Sequence, residues 1–359
     1  MKKKCIPEEM SLSVKTKRKC MLFFLGELVA IAVMILICTN LGSADIGTGV
    51  TAKVIFGKIT GNETFYADVP RGIAAIIWDI RLPRVICGVF VGAGLSVSGA
   101  VFQGLLRNPL ADPYTLGIST GAALGASIAI FLSGILAILD VPVLPCAFAG
   151  AIITLFIVTQ ISKSSGNINS NNLVIAGIIV SSILSAGISF IKNAAGEEVG
   201  AIVFWIMGSL SARTWTHVVV LVPVVFICTF VCIYYSDELN ILCTGDDYAK
   251  MLGVNVNRVR KILLVAASLI TASCVASSGV IGFVGLVIPH LLRFGLTSDN
   301  KHLLPLCACS GAILLTLADN MSRVLFPSEI PVGVLTTLVG GPFFIFLFMN
   351  KGKKKGVTV

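Results

Sequence analysis

Charge is what this sequence has least of. Asp, Glu, Lys and Arg together make up 13% of its 359 residues, about half the ~25% usual in a soluble domain. With 56% hydrophobic residues and a mean hydropathy of +0.95, a soluble globular fold is excluded. A G-x-x-x-x-G-K-[ST] loop is missing too. The nearest fragment, Gly57-Lys58-Ile59-Thr60, lacks the upstream glycine and has no hydroxyl in place, so the chain carries no nucleotide-hydrolysing loop and is not expected to be an enzyme. Histidines number three. His217, His290 and His302 have no second ligand at metal spacing, and neither a metal nor a cofactor is expected. No C-x-x-C pair occurs, and most of the eleven cysteines fall inside apolar runs. Buried Cys acts there as a small apolar side chain, not as a disulfide framework. Acids inside apolar runs are scarce as well. Only Glu27 lies deep in one and Asp319 at the end of another, too few for the carboxylate relay of an ion-coupled carrier. That secondary-transporter reading is the alternative to the one developed below. A membrane-embedded enzyme would need clustered His, Asp and Glu, and none is seen.

What fills the chain instead is apolar sequence. A bilayer core needs roughly 20 apolar residues per helix, and ten windows qualify: 21–40, 82–105, 114–134, 142–162, 172–193, 216–235, 261–279, 280–295, 303–319 and 331–349. The seventh and eighth run together through Ser277-Ser278-Gly279. An all-α, polytopic bundle of about ten spans is expected, one domain over 21–349 between basic tails at 1–20 and 350–359. The run from Met21 to Asn40 exceeds a signal-peptide core and no A-x-A site follows, so an uncleaved first span is expected. Placing both termini in the cytoplasm puts 19 of the 27 Lys and Arg inside, as the positive-inside rule favours. The net charge of +9 reflects that bias; no clustered nucleic-acid surface is present.

The stretch Arg81–Gly125 is rich in small residues. Gly88, Gly92, Ser96 and Gly99 recur at spacings of three and four, and Gln103 continues their face. An elbow, Arg107-Asn108-Pro109-Leu110-Ala111-Asp112-Pro113, leads to Gly117, Gly121 and Gly125 at intervals of four. Such repeats let helix backbones approach closely in a bilayer. Before this stretch, 41–80 forms the longest outer segment, with a short interfacial helix expected over Ile73–Ile80. Gly166–Asn172 reads as a Ser/Asn-rich inner loop, and Gly196–Trp215 as an outer loop holding a short helix.

Residues 236–260 form an inner loop with its own signal. Asp246 and Asp247 suit a helix start and Gly253 a stop, while Tyr248, Met251 and Leu252 share an apolar face. That face either folds against its own bundle or the membrane surface, or docks in a groove of a soluble partner. On the outer side, Arg81, Arg84 and Arg323 stand at span mouths. They suit bidentate pairing with carboxylates, but also lipid anchoring or local pairing, such as Arg81 with Asp79 or Arg323 with Asp319. Glu27 pairs with a neighbour or faces a cavity. Ser181, Ser182 and Ser185, with Gly340 and Gly341, either line a conduit or form a packing seam.

Taken together, these phrases resemble the FecCD-type permease family, the membrane subunits of ABC importers for iron-siderophores, heme and cobalamin. The resemblance rests on RLPR at 81–84, SGAVFQ at 98–103, RNPLADP at 107–113 and LGISTGA at 116–122. It extends through the LN…AKMLG loop, SSGVIGFVGLVIPHLLR, the AD…R run ending at Arg323, PVG at 331–333 and GGPFF, covering most of 80–345. It implies a homodimeric pathway, or a dimer with a paralogous permease, in a bacterial or archaeal cytoplasmic membrane. It also implies ATPase subunits docking on Gly245, Asp246, Asp247, Tyr248, Ala249, Met251, Leu252 and Gly253. An extracytoplasmic substrate-binding protein would engage Arg81, Arg84 and Arg323, with lipids around the bundle.

Overall fold

The computed structural model describes residues 8–42, 46–136, 141–163, 170–324 and 329–354. Among them every regular element is helical. Helix α1 (Glu8–Asn40) is followed by α2 (Thr48–Thr60), a 3-10 turn at Glu63–Tyr66, α3 (Arg71–Ala75), a π-helical turn at Ile76–Arg81 and α4 (Leu82–Leu105). Next come α5 (Ile118–Leu136), α6 (Val143–Ser162), α7 (Ser170–Ala194), α8 (Val199–Ile206) and α9 (Trp215–Tyr234). Two short helices, α10 (Ser236–Thr244) and α11 (Asp246–Met251), precede α12 (Val256–Ser278). The chain closes with α13 (Val284–Gly295), α14 (Asn300–Val324) and α15 (Val332–Lys354).

Among the described residues eight segments are long and apolar enough to cross a membrane, and two shorter apolar helices, α13 and Val332–Ile345 of α15, fill the remaining expected positions. The eighth expected span is the exception in length. Twelve residues of α13 rise only ~18 Å, short of the ~30 Å core. Left-handed backbone at Gly279 (φ 72) and Phe283 (φ 68) makes the break. At Gly279 a side chain is barred twice over, because a Cβ would sit 2.2 Å from the Trp205 carbonyl oxygen.

The separate interfacial helix expected over Ile73–Ile80 does not form. A π turn splices α3 into α4, with the Leu82 N–H donating five residues back to Ile77, and the run Arg71–Leu105 becomes one long helix. Helix α2 was not expected. It buries Val54 against Ile46, Ala74 and Ile77 in a small satellite core and stops at left-handed Gly61. The short helix expected in Gly196–Trp215 is α8. Most of the Gly166–Asn172 loop lies outside the described residues.

The centre of the bundle is α4. Of its apolar window 83% is buried, against 17% for α1. It packs on α14, α12, α13 and α9, and its glycines set how close these come. A Cβ on Gly92 would lie 2.2 Å from the Gly311 carbonyl oxygen of α14, and one on Gly99 1.9 Å from that of Gly285 of α13. The second seam joins α5 to α6, where a Cβ on Gly121 would meet Thr154 Oγ1 at 2.0 Å and one on Gly125 the Cys146 carbonyl at 2.2 Å. At Gly88 the nearest atoms stand at 3.3–3.4 Å, so that position is looser. Outward, α6, α7 and α9 expose Ile153, Phe156, Ile183, Phe190, Phe226 and Phe230, the apolar surface a bilayer covers.

Candidate functional site

At one end of the bundle three arginines converge on the C-terminus of α1 and its neighbours. Arg81 Nη1 donates to the Thr39 and Asn40 carbonyls at 3.3 and 2.6 Å. Arg323 Nη2 donates to those of Cys38 and Leu41 at 2.9 and 3.1 Å. Both therefore cap carbonyls that the last helical turn leaves without intrahelical partners, at the negative end of the helix dipole. Arg84 reaches across instead. Its Nε and Nη2 donate to Asp319 at 3.0 and 2.9 Å, and its Nη1 donates to Glu329 at 2.9 Å. Glu329 also accepts the Ser211 hydroxyl. Burial pushes the Glu329 carboxyl up, but Ser211 and Arg84 outweigh it and hold it below the usual carboxylate range.

All three were expected to engage a binding protein's carboxylates; the bonds given above are to their own chain. Arg81 and Arg84 are only 5% and 9% exposed, and their donors serve the chain itself. Arg323 remains half-buried. Asp319 turns to Arg84 across the helix interface, not to Arg323 along its own helix. Glu329 was missed; it lies beyond a helix end, where no periodicity marks it.

At the opposite end the loop 236–260 folds as two short helices at an angle. Gly245, at φ 132, makes the turn between them, and Gly253 (φ 82) follows α11. Asp246 Oδ1 lies 2.7 Å from Arg260 Nη2 and 3.6 Å from Arg107 Nη2. Burial raises the Asp246 carboxyl, but the bond and charge of Arg260, then Arg107, hold it below its ordinary value. Asp247 pairs at the surface with Lys250. Ala249 is fully buried, while Tyr248, Met251 and Leu252 are 67%, 84% and 68% exposed. The apolar face of α11 thus points away from the bundle. Beneath it, α10 is tied to the start of α14: Asn240 Nδ2 donates to Asp299, Asn300 Nδ2 donates to Asn240, and Lys301 pairs with Asp237.

The elbow between α4 and α5 lies beside this loop. Arg107 takes a left-handed backbone at φ 50, a strained choice for a residue with a Cβ. Asn108 and Asp112 close turns by accepting the Leu110 and Tyr114 amides at 2.9 and 3.0 Å. Pro109 stands exposed at the tip. The Tyr114 hydroxyl donates to the Ile281 carbonyl at 2.6 Å and accepts from the Ile281 amide at 3.2 Å, clamping the elbow to the α12–α13 break. Gln103, at the end of α4, accepts from Arg293 and sits over the Gly285 and Leu286 carbonyls.

The residues suggested for a conduit are not gathered in one place. Ser181 packs where a Cβ on Gly117 would meet its hydroxyl at 2.6 Å, and a Cβ on Gly340 would lie 2.6 Å from the Cβ of Phe283, so both positions are closely packed. Ser182 and Ser185 are exposed on α7, where Ser182 returns its hydroxyl to Ile178 of its own helix. At Gly341 there is more room: a Cβ there would stand 3.6 Å from Phe283. Glu27 accepts the Ser310 hydroxyl of α14. Among the described residues no group of three or more His, Cys, Asp or Glu could hold a metal ion.

Known proteins are similar to this chain over most of its length. The cobalamin import system permease protein BtuC of Halobacterium salinarum is 41% identical over 283 residues, covering 79% of this chain and 76% of that one. The hemin transport system permease protein HmuU of Yersinia pestis is 36% identical over 330 residues, 90% and 95% of the two chains. A solved metal-chelate type ABC transporter in an inward-facing conformation superposes with a TM-score of 0.77 at 30% identity, covering 91% of this chain and 98% of that one. The profile of the FecCD transport family matches residues 28–350, a stretch that takes in both bundle ends, the glycine seams and the elbow; the chain belongs to that family of membrane permeases.

Proposed function

We propose that this permease carries a bulky chelate, a ferric siderophore, heme or cobalamin, through the cytoplasmic membrane as half of a dimer powered by separate ATPase subunits. The observation that carries the reading is the exposed face of α11. Tyr248, Met251 and Leu252 stand clear of the bundle, while Asp246 fixes the base of the helix to Arg107 and Arg260. An apolar helix face held out on a braced stem suits a groove on a soluble partner. Closure of paired ATPases would then move a helix already tied to the elbow and to α12, and tilt the spans between outward and inward openings. Both termini would lie in the cytoplasm with that face. On the other side, a substrate-binding protein would dock over the rim formed by Arg323 and Glu329, with Arg81 and Arg84 bracing it from beneath. Related proteins named for cobalamin and hemin support the substrate class.

Reconstitution in proteoliposomes with its ATPase and binding protein tests this. Uptake should require ATP, and Met251→Glu with Leu252→Glu should lose ATPase co-purification and uptake while the bundle stays folded. Uptake driven by an ion gradient without ATP would sink the proposal.

A further inference from the structure

Helix α1 is the least buried of the long helices and lies chiefly along α14. The two are pinned where Ser310 donates to Glu27, and again where Arg323 caps the end of α1. On either side of the Glu27 contact the helices part, leaving two apolar clefts. One, about 460 Å³, runs beside Ile37, Leu41, Leu317 and Val324 and has no charged residue in its lining. The other, about 560 Å³, is walled by Cys20, Met21 and Phe24 of α1 and by Pro305 and Leu306 of α14. Its mouth differs from that of the first: Lys17, Arg18 and His302 line it.

The charge at that mouth is one-sided. Lys17 and Arg18 are exposed, as is neighbouring Lys19, and among the described residues neither Lys17 nor Arg18 has a carboxylate at ion-pair distance. The nearby acids are engaged elsewhere: Asp299 accepts from Asn240 and the amide of Lys301, and Asp237 pairs with Lys301. The apolar wall continues along α1 through Met21, Leu25 and Val29, which are 66%, 48% and 65% exposed. Such a surface is covered by lipid, so the occupant of the cleft is drawn from the bilayer. Its size falls within the ~300–1,000 Å³ of ligand pockets. Long basic side chains at the membrane boundary reach to the headgroup level and keep their stems in apolar contact, and basic pockets between helices select anionic headgroups.

We propose that this cleft is a binding site for one anionic phospholipid, an acyl chain lying along Phe24 and Leu306 and the phosphodiester held by Lys17 and Arg18. The site needs no ATPase, binding protein or transported substrate, so it stands or falls separately from the transport reading.

Native mass spectrometry of the purified full chain tests it, with phosphatidylglycerol and phosphatidylcholine as probes. The wild type should retain one phosphatidylglycerol in preference to phosphatidylcholine. Lys17→Glu with Arg18→Glu should lower that retention about tenfold or more. Cys20→Phe, which fills the cleft without changing charge, should lower it too. Arg258→Glu with Lys261→Glu makes the same charge change at the same end of the bundle and should leave retention intact. Equal retention of the two lipids, an unaffected Lys17/Arg18 variant, or an equal loss in the Arg258/Lys261 control would each overturn the site.

Discussion

The guanidinium of Arg84 meets the carboxylate of Asp319 edge-on across the α4–α14 seam, Nε and Nη2 each donating to it, at 3.0 and 2.9 Å. Both side chains are almost wholly enclosed, at 10% and 5% exposure. Removing one member of a buried pair strands the other's charge, at a cost of about 3–5 kcal/mol. Asp319→Ala should therefore lower the thermal unfolding midpoint in detergent far more than Glu329→Ala, whose carboxylate is half exposed. The double change Arg84→Met with Asp319→Leu should recover most of the loss. Equal midpoints for the two alanine variants would refute this division of labour.

Two glycines one turn apart on α4 should behave differently. At Gly92 a new methyl would press on the Gly311 backbone, which cannot rotate away; at Gly88 it would meet the end of the Leu210 side chain at 3.3 Å and the Thr316 hydroxyl at 3.4 Å, a tight fit against side-chain ends that can shift by a few tenths of an ångström. Gly92→Ala should part α4 from α14 and cost about 1–3 kcal/mol. Gly88→Ala should cost clearly less than Gly92→Ala, because the atoms it meets end side chains and are not backbone. Melting curves of the two variants side by side decide it.

Acidification should loosen the α10–α11 loop at a defined point. An acid held below its usual pKa contributes stability above the unfolded value of about 4, and loses it as pH falls through the lower folded value. Asp246 is such an acid, so α11 should stay anchored from neutrality down to about pH 4 and slacken below. Amide hydrogen exchange over 246–256, corrected for intrinsic rates, should show this. Asp246→Asn should look slack already at pH 7; full protection in that variant would remove Asp246 from the anchor.

The elbow clamp allows a clean single-atom test. Tyr114→Phe removes only the hydroxyl that both donates to and accepts from Ile281. It leaves two backbone groups without partners, at about 1–3 kcal/mol each at most. The unfolding midpoint should fall, and exchange should rise first around Ile281. An unchanged exchange profile there would mean that the α12–α13 break holds its shape without the elbow.

Much of the architecture could be read from composition and spacing alone. Apolar windows located the long helices, because twenty residues without charge leave few other options in water or lipid. Glycine spacing marked Gly92, Gly99, Gly121 and Gly125, because close approach demands a missing side chain. Pairing across distant elements was not legible. Arg84 finds Asp319 and Glu329 more than two hundred residues away, whereas spacing could only suggest the neighbour four positions along. Helix α2 hid among β-branched residues, and the half-length of α13 was masked by an apolar stretch that reads continuously through its break. The outward face of α11 was visible as a pattern; that it is left uncovered by its own chain was not.

The last turn of α1 is more than a peripheral anchor. Its carbonyls are the counter-pole for Arg81 and Arg323, so these two cations, brought in by separate helices, share one acceptor that arrives first in the chain. A polypeptide lacking its opening forty residues would not be a smaller bundle with one helix fewer. It would take from both guanidinium groups the helix-end carbonyls that they cap.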